Sequence, residues 1–258
     1  MTRTQDFFDL TGHVALVTGG NGGIGLAMAR GLVKAGASIA IWGRNVEKNF
    51  AAVAELQSLG GVACSFSADV TDPTSSAAAF AQTLDTFGRL DSCFANAGGP
   101  GNRGRFIDLD RSDWTATHDL NVQSVIDTFQ LATRHWLREK LRGKLIVTSS
   151  VASMLGLPTA AGYCMTKAAV NGLVRSLAIE LGPSDIQVNA ILPGFIETEL
   201  SLNTPKAFQD GARRRVASGN IGKLEDMEGI AVYLASRHSD FMTGQSVVID
   251  GGHTIFPL

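Results

Sequence analysis

Short apolar runs rich in β-branched residues alternate along this chain with longer stretches in which apolar positions recur every three or four residues. The runs cover residues 13–18, 38–42, 62–67, 90–96, 144–148, 186–191 and 246–250. Runs of this kind predict strands buried on both faces, as in a parallel sheet. The helical period predicts helices from near Ile24 to Ala35 and over 46–59, 74–87, 112–140, 162–181 and 224–236, with a kink in the 112–140 stretch. Regular alternation of the two predicts an α/β fold: a Rossmann-type, doubly wound parallel sheet of about seven strands with helices on both faces. No linker, low-complexity stretch or internal repeat divides the pattern, so residues 1–258 read as a single domain.

Composition supports that reading and narrows the function classes. With 258 residues, 45% of them hydrophobic, the chain can bury one large core. A net charge of -2 argues against a nucleic-acid partner, and the run Arg213-Arg214-Arg215 is too short to change that. No apolar run has the length of a membrane span, and Met1-Thr2-Arg3-Thr4-Gln5-Asp6 lacks the apolar centre of a signal peptide, which predicts a cytoplasmic protein with no membrane contact. Cys64, Cys93 and Cys164 are odd in number, far apart and without metal-ligand spacing, so they read as reduced thiols and no metal site is expected.

The first predicted strand runs straight into Thr18-Gly19-Gly20-Asn21-Gly22-Gly23-Ile24-Gly25 and then into a helix. Glycines let a backbone approach a pyrophosphate closely, and the N-terminus of the helix offers unpaired N–H groups and a positive dipole end. A dinucleotide is the expected ligand. Tyr163 and Lys167 stand four residues apart, one helical turn, on the same face. An ammonium beside a phenol favours the phenolate, so Tyr163 is expected to have a lowered pKa and to act as a general acid/base.

With these elements in place, the chain resembles the short-chain dehydrogenase/reductase family, in its single-domain branch of about 250 residues, along essentially its full length. Thr18-Gly19-x-x-x-Gly23-x-Gly25 matches the family's glycine loop, Asp69-Val70 its adenine-contacting pair, and Asn96-Ala97-Gly98 the sheet-stabilising turn beside the cofactor. Asn121 stands at its helical asparagine, Ser150 at its catalytic serine, and Pro193-Gly194 at the turn near the nicotinamide, followed by Ile196 and Thr198. Ser149 is a neighbouring hydroxyl, and the family spacing selects Ser150. The resemblance implies a substrate lid near 194–222.

It also implies hydride transfer between nicotinamide and a small carbonyl or secondary alcohol substrate. Tyr163 would exchange the proton, Ser150 would hold the same oxygen, Lys167 would reach the nicotinamide ribose, and Asn121 would hold a water relaying protons to Lys167. An acid at the end of the second strand would bind the ribose 2′-hydroxyl of NAD, but Gly43 stands there with Arg44 beside it. That favours NADP(H), with NAD(H) as the second cofactor. Substrate readings within the family are a 3-oxoacyl-carrier-protein reductase and a sugar-acid dehydrogenase, the latter through Arg103, Arg105 or Arg213–Arg215. A cofactor-binding redox sensor is the non-enzymatic alternative. The helix over 162–181 carries more apolar surface than one sheet-facing stripe needs, and the tail ends in Ile255-Phe256-Pro257-Leu258, so a homotetramer is expected.

Overall fold

The computed structural model describes residues 7–255. Seven parallel strands form one sheet in the order β3-β2-β1-β4-β5-β6-β7. They are β1 Val14–Thr18, β2 Ser38–Gly43, β3 Ala63–Ser67, β4 Ser92–Ala95, β5 Gly143–Thr148, β6 Ile186–Pro193 and β7 Ser246–Ile249. The order reverses between β1 and β4, which opens a crevice above their carboxyl ends. Loops carrying Gly19 and Asn96 leave the sheet at that point.

Alternation along each strand feeds two cores. Val14 and Leu16 of β1 point to the side covered by α3 Pro73–Phe87, α5 Ser124–Glu139 and α6 Ala161–Leu181, where Phe80, Phe129, Trp136, Val170 and Val174 are buried. Ala15 and Val17 point to the other side, covered by α1 Gly23–Lys34, α2 Val46–Ser58 and α9 Glu228–Ala235, where Met28, Leu32, Leu56 and Leu234 are buried. Each such side chain stabilises the fold by roughly 1.5–3 kcal/mol through burial. The buried indoles keep their hydrogen bonds, Trp136 Nε1 to the Leu90 carbonyl at 2.7 Å and Trp42 Nε1 to Thr83 Oγ1 at 3.0 Å.

The stretch expected as one kinked helix over 112–140 is two helices, α4 Arg111–His118 and α5, joined by a π-helical turn at Asp119–Gln123. The 224–236 stretch is likewise split into a 3₁₀ turn, Leu224–Met227, and α9. The 194–222 region, expected as a substrate lid, contains two short helices, α7 Glu199–Leu202 and α8 Lys206–Arg214. Thr198 starts α7 through a reciprocal capping box with Ser201. Residues 1–6, read for a signal peptide, and 256–258, read as an interface tail, lie outside the described residues. No helix among the described residues is long and apolar enough to cross a membrane, and no group of metal-ligating side chains occurs among them.

Candidate active site

Five segments meet above the carboxyl ends of the central strands: the glycine loop after β1, the Asn96 turn after β4, the Ser150 turn after β5, the first turns of α6, and Pro193–Gly194 after β6. Asn96 ties three of them together. Its Nδ2 donates to the carbonyls of Thr18 and Gly19 at 3.2 and 3.4 Å, its Oδ1 accepts from Thr148 Oγ1 at 3.0 Å, and the N–H groups of Asn96 and Ala97 both donate to Thr18 Oγ1 at 3.0 Å. A Cβ on Gly25 would stand 2.4 Å from the Gly19 carbonyl oxygen and 2.5 Å from Asn96 Nδ2, so α1 can sit against the loop only because Gly25 has no side chain. Gly22 leads into α1 with no side-chain cap, and no acidic residue occupies the first turn. The amides of Gly23, Ile24 and Gly25 thus form a cradle suited to an anion. This donor set fits the pyrophosphate of a dinucleotide.

The two candidate serines have different partners. Ser149 Oγ donates to the Lys167 carbonyl at 3.0 Å, away from the crevice. Ser150 Oγ accepts from the Ala152 amide at 3.1 Å and faces the Tyr163 phenol. Tyr163 lies in the first turn of α6, just after the tight turn Leu157-Pro158-Thr159-Ala160, closed by an Ala160 N–H to Leu157 carbonyl bond of 3.2 Å. Pro158 suits the second position of such a turn, while Thr159 holds a positive φ of 62° that a β-branched residue rarely adopts. The Thr159 carbonyl accepts from the Gly104 amide at 3.1 Å, linking this turn to the loop after β4.

The structure corrects one expectation about acidity. Burial raises the Tyr163 pKa, and the Ser150 hydroxyl opposes that rise. Lys167 does not pull it down. Its ammonium lies 5.8 Å from the centre of the Tyr163 ring and donates to the Thr148 carbonyl at 2.8 Å. Burial in turn lowers the Lys167 pKa to about 8.

Asn121 is fully buried in the π-helical turn. Its Oδ1 accepts from the Gly99 amide at 2.9 Å, while Nδ2 donates to the Gly99 carbonyl at 2.9 Å and to Thr166 Oγ1 at 3.2 Å. Both amide protons are therefore engaged, so this side chain has no donor left for a relay water and retains only spare capacity on Oδ1. A Cβ on Gly98 would lie 2.9 Å from that oxygen and 3.3 Å from Lys167 Nζ, which shows that the two groups flank the same glycine.

Around the crevice rim, Asp69 accepts from the Thr71 amide and hydroxyl at 3.0 and 2.7 Å, bonds that hold its pKa down. Arg44 Nη1 lies 3.8 Å from Asp69 Oδ2 and is otherwise exposed, while Val70 is buried in the core. Ile196 is buried, and Thr198 Cγ2 would sit 3.6 Å from a Cβ on Gly23, bringing the start of α7 against the glycine loop. On the opposite rim the Arg103 guanidinium lies 5.9 Å from the Phe208 ring centre and donates to the Pro158 carbonyl at 3.4 Å. Arg105 and Arg213 instead sit near Asp108 and Asp210, 3.7 and 3.8 Å away. Sequence reasoning passed over Thr148, Thr166 and Asn49, each of which positions a predicted site residue. Asn49 alone left a trace, a polar residue on the apolar stripe of α2 shared with Ala52 and Leu56.

The profile of the family described as Enoyl-(Acyl carrier protein) reductase matches residues 19–254. The chain is 35% identical to gluconate 5-dehydrogenase of Gluconobacter oxydans, covering 97% of this chain and 98% of that one. It is 30% identical to the 3-oxoacyl-[acyl-carrier-protein] reductase of Thermotoga maritima, covering 95% and 99%. A crystal structure of a short-chain type dehydrogenase/reductase from Mycobacterium marinum superposes with a TM-score of 0.93 at 33% identity, covering 97% and 98% of the two chains.

Proposed function

The chain belongs to the short-chain dehydrogenase/reductase family and is an oxidoreductase acting on CH–OH groups with NAD(P) as acceptor, and we propose that it does so with NADP(H) through Ser150, Tyr163 and Lys167. The observation that carries this reading is the meeting of the Ser150 hydroxyl and the Tyr163 phenol one helical turn from a buried lysine. When bound, the nicotinamide supplies or accepts the hydride. Tyr163 gives its proton to the carbonyl oxygen in reduction and takes one from the alcohol in oxidation. Ser150 hydrogen-bonds the same oxygen. Burial raises the Tyr163 pKa, which favours the protonated phenol that donation requires. Lys167 stands to hold the nicotinamide ribose hydroxyls, and Asn121 fixes the Gly99 backbone beside it.

Gly43 removes the repulsion that a carboxylate would exert on a 2′-phosphate, and the exposed Arg44 supplies attraction. NADP(H) is therefore the preferred cofactor and NAD(H) the second. The enzyme works as a cytoplasmic homotetramer. In support, α6 leaves Met165, Ala168, Ala169 and Ile179 exposed on the side away from the sheet.

A sugar-acid substrate is the reading that Arg103 favours. Among the described residues its guanidinium has no carboxylate within ion-pair distance, and it stands between the turn before Tyr163 and the lid. The likeness to a gluconate 5-dehydrogenase agrees with this. Initial rates of NADPH oxidation across ketones, keto sugar acids, sugars and 3-oxoacyl thioesters test both parts. No turnover with any carbonyl rejects the proposed mechanism, and turnover of acyl thioesters alone rejects the sugar-acid reading.

A further inference from the structure

The space at the end of β2 is occupied. A Cβ on Gly43 would stand 2.3 Å from Asn21 Nδ2 and 2.5 Å from Asn49 Oδ1, so two carboxamides fill the place where a cofactor-selecting acid would project. Asn49 Nδ2 donates to the Gly43 carbonyl at 2.8 Å, and Asn21 Nδ2 donates to Asn49 Oδ1 at 2.7 Å. Polarity is fixed along this line. A backbone carbonyl only accepts, so Asn49 meets it with its NH₂ group, turns its oxygen toward Asn21, and is answered by the Asn21 NH₂ group.

Asn49 is 3% exposed on the sheet-facing stripe of α2. A buried amide costs stability unless its hydrogen bonds are made, and here each bond it makes orients the next group toward the glycine loop. Asn21 sits half-buried in that loop. Its bond to Asn49 uses one N–H, which leaves it a second N–H and a whole carbonyl oxygen. Arg44, by contrast, is exposed and paired only loosely with Asp69 at 3.8 Å.

We propose that Asn21 and Asn49 form a specificity-determining pair for the adenosine ribose. Asn21 meets the 2′ substituent, offering its N–H to a phosphate or its oxygen to a hydroxyl, and Asn49 is the positioning residue that holds it. This deepens the cofactor reading above and rests on it. Arg44 supplies charge, while the amide pair supplies a fixed surface.

The test is equilibrium binding of NADPH and NADH, read by isothermal calorimetry, to the wild type and to Asn21→Ala, Asn49→Ala, the double variant and Asn21→Asp. A thermal melt of each reports folding. Each alanine variant is expected to raise the NADPH Kd about 3- to 10-fold, the loss of one net hydrogen bond. The double variant is expected to do no worse than the singles, because Asn49 acts only through Asn21. Asn21→Asp is expected to weaken NADPH at least about 10-fold and leave NADH unchanged or tighter, through charge repulsion. If Asn49→Ala melts out, Asn49→Asp takes its place, since it can still accept from Asn21 but has no donor for Gly43.

Additive single effects overturn the pair, and an unchanged ratio of the two Kd values in Asn21→Asp overturns the placement of Asn21. A wild type that prefers NADH sinks the NADP(H) preference alone, because Asn21→Asp must shift the ratio whichever cofactor is preferred.

Discussion

Lys167 donates through Nζ to the carbonyl of Thr148 at 2.8 Å, so the last residue of β5 anchors the only buried cation of α6 among the described residues. The ammonium is thereby held at the end of the sheet while Tyr163 keeps its proton.

This arrangement has a stability signature. Lys167 titrates at about 8 in the fold against 10.5 for an ordinary lysine, so the native state releases its proton first. The cost of burying the cation is present in full below about pH 8 and disappears as pH rises toward 10.5. Lys167→Met is expected to abolish turnover and to raise the melting temperature at neutral pH by roughly 2–6 °C. That gain should shrink above pH 8. Melts of both proteins from mildly acidic to alkaline pH check it, and a difference independent of pH counts against a buried charged lysine.

Tyr163→Phe keeps the ring and removes the transferable proton. Turnover is expected to fall roughly 10²- to 10⁴-fold with the NADPH Kd changed less than about threefold. Steady-state kinetics beside equilibrium binding separate the two quantities, and near-normal turnover would assign the proton to another group.

Arg44→Ala tests cofactor charge without disturbing the packing at Gly43, where an added side chain would collide with Asn21 and Asn49. The ratio of kcat/KM for NADPH over NADH should fall roughly 10- to 100-fold, the worth of a charge-assisted contact to phosphate. A ratio that stays put means that Arg44 serves only Asp69.

Ile179 is 82% exposed on the outer side of α6. If that side is an interface, Ile179→Glu should convert a tetramer into smaller species without lowering the helix content. Light scattering decides, and a wild-type mass near the 27.2 kDa of one protomer would dismiss the assembly.

How much of this was legible in the sequence follows from where each signal originates. The run Val14–Val17 of β1 is apolar on both faces, and that pattern survives in one dimension. Glycine spacing likewise marks the cradle before α1. The break between α4 and α5 was visible only as a kink, because it is imposed by bonds from Asn121 to Gly99 and Thr166, far away in sequence. Tyr163 misled for a related reason: helical spacing places Lys167 on the same face, but the environment of the phenol depends on burial that spacing does not encode. The helices over 199–202 and 206–214 escaped notice because they are short, four and nine residues, too brief for the apolar period to repeat, although Thr198 and Ser201 carry a capping signature.

The π-helical turn at Asp119–Gln123 makes the length of this part of the chain a functional quantity. Ser124 bonds back five residues to Asp119, so the turn holds one residue more than an α-helix would. Deleting a single residue there would let α4 and α5 fuse into an uninterrupted helix with better local hydrogen bonding. Because the wide turn absorbs its surplus residue locally, α4 and α5 would keep their phase, while the residues inside the turn would shift by one position. Asn121 would lose its place opposite Gly99 and Thr166, while Trp114 and Phe129 would stay packed. A shortened variant of that kind could melt at the same temperature as the parent and still be inert, so screening by stability alone would pass it.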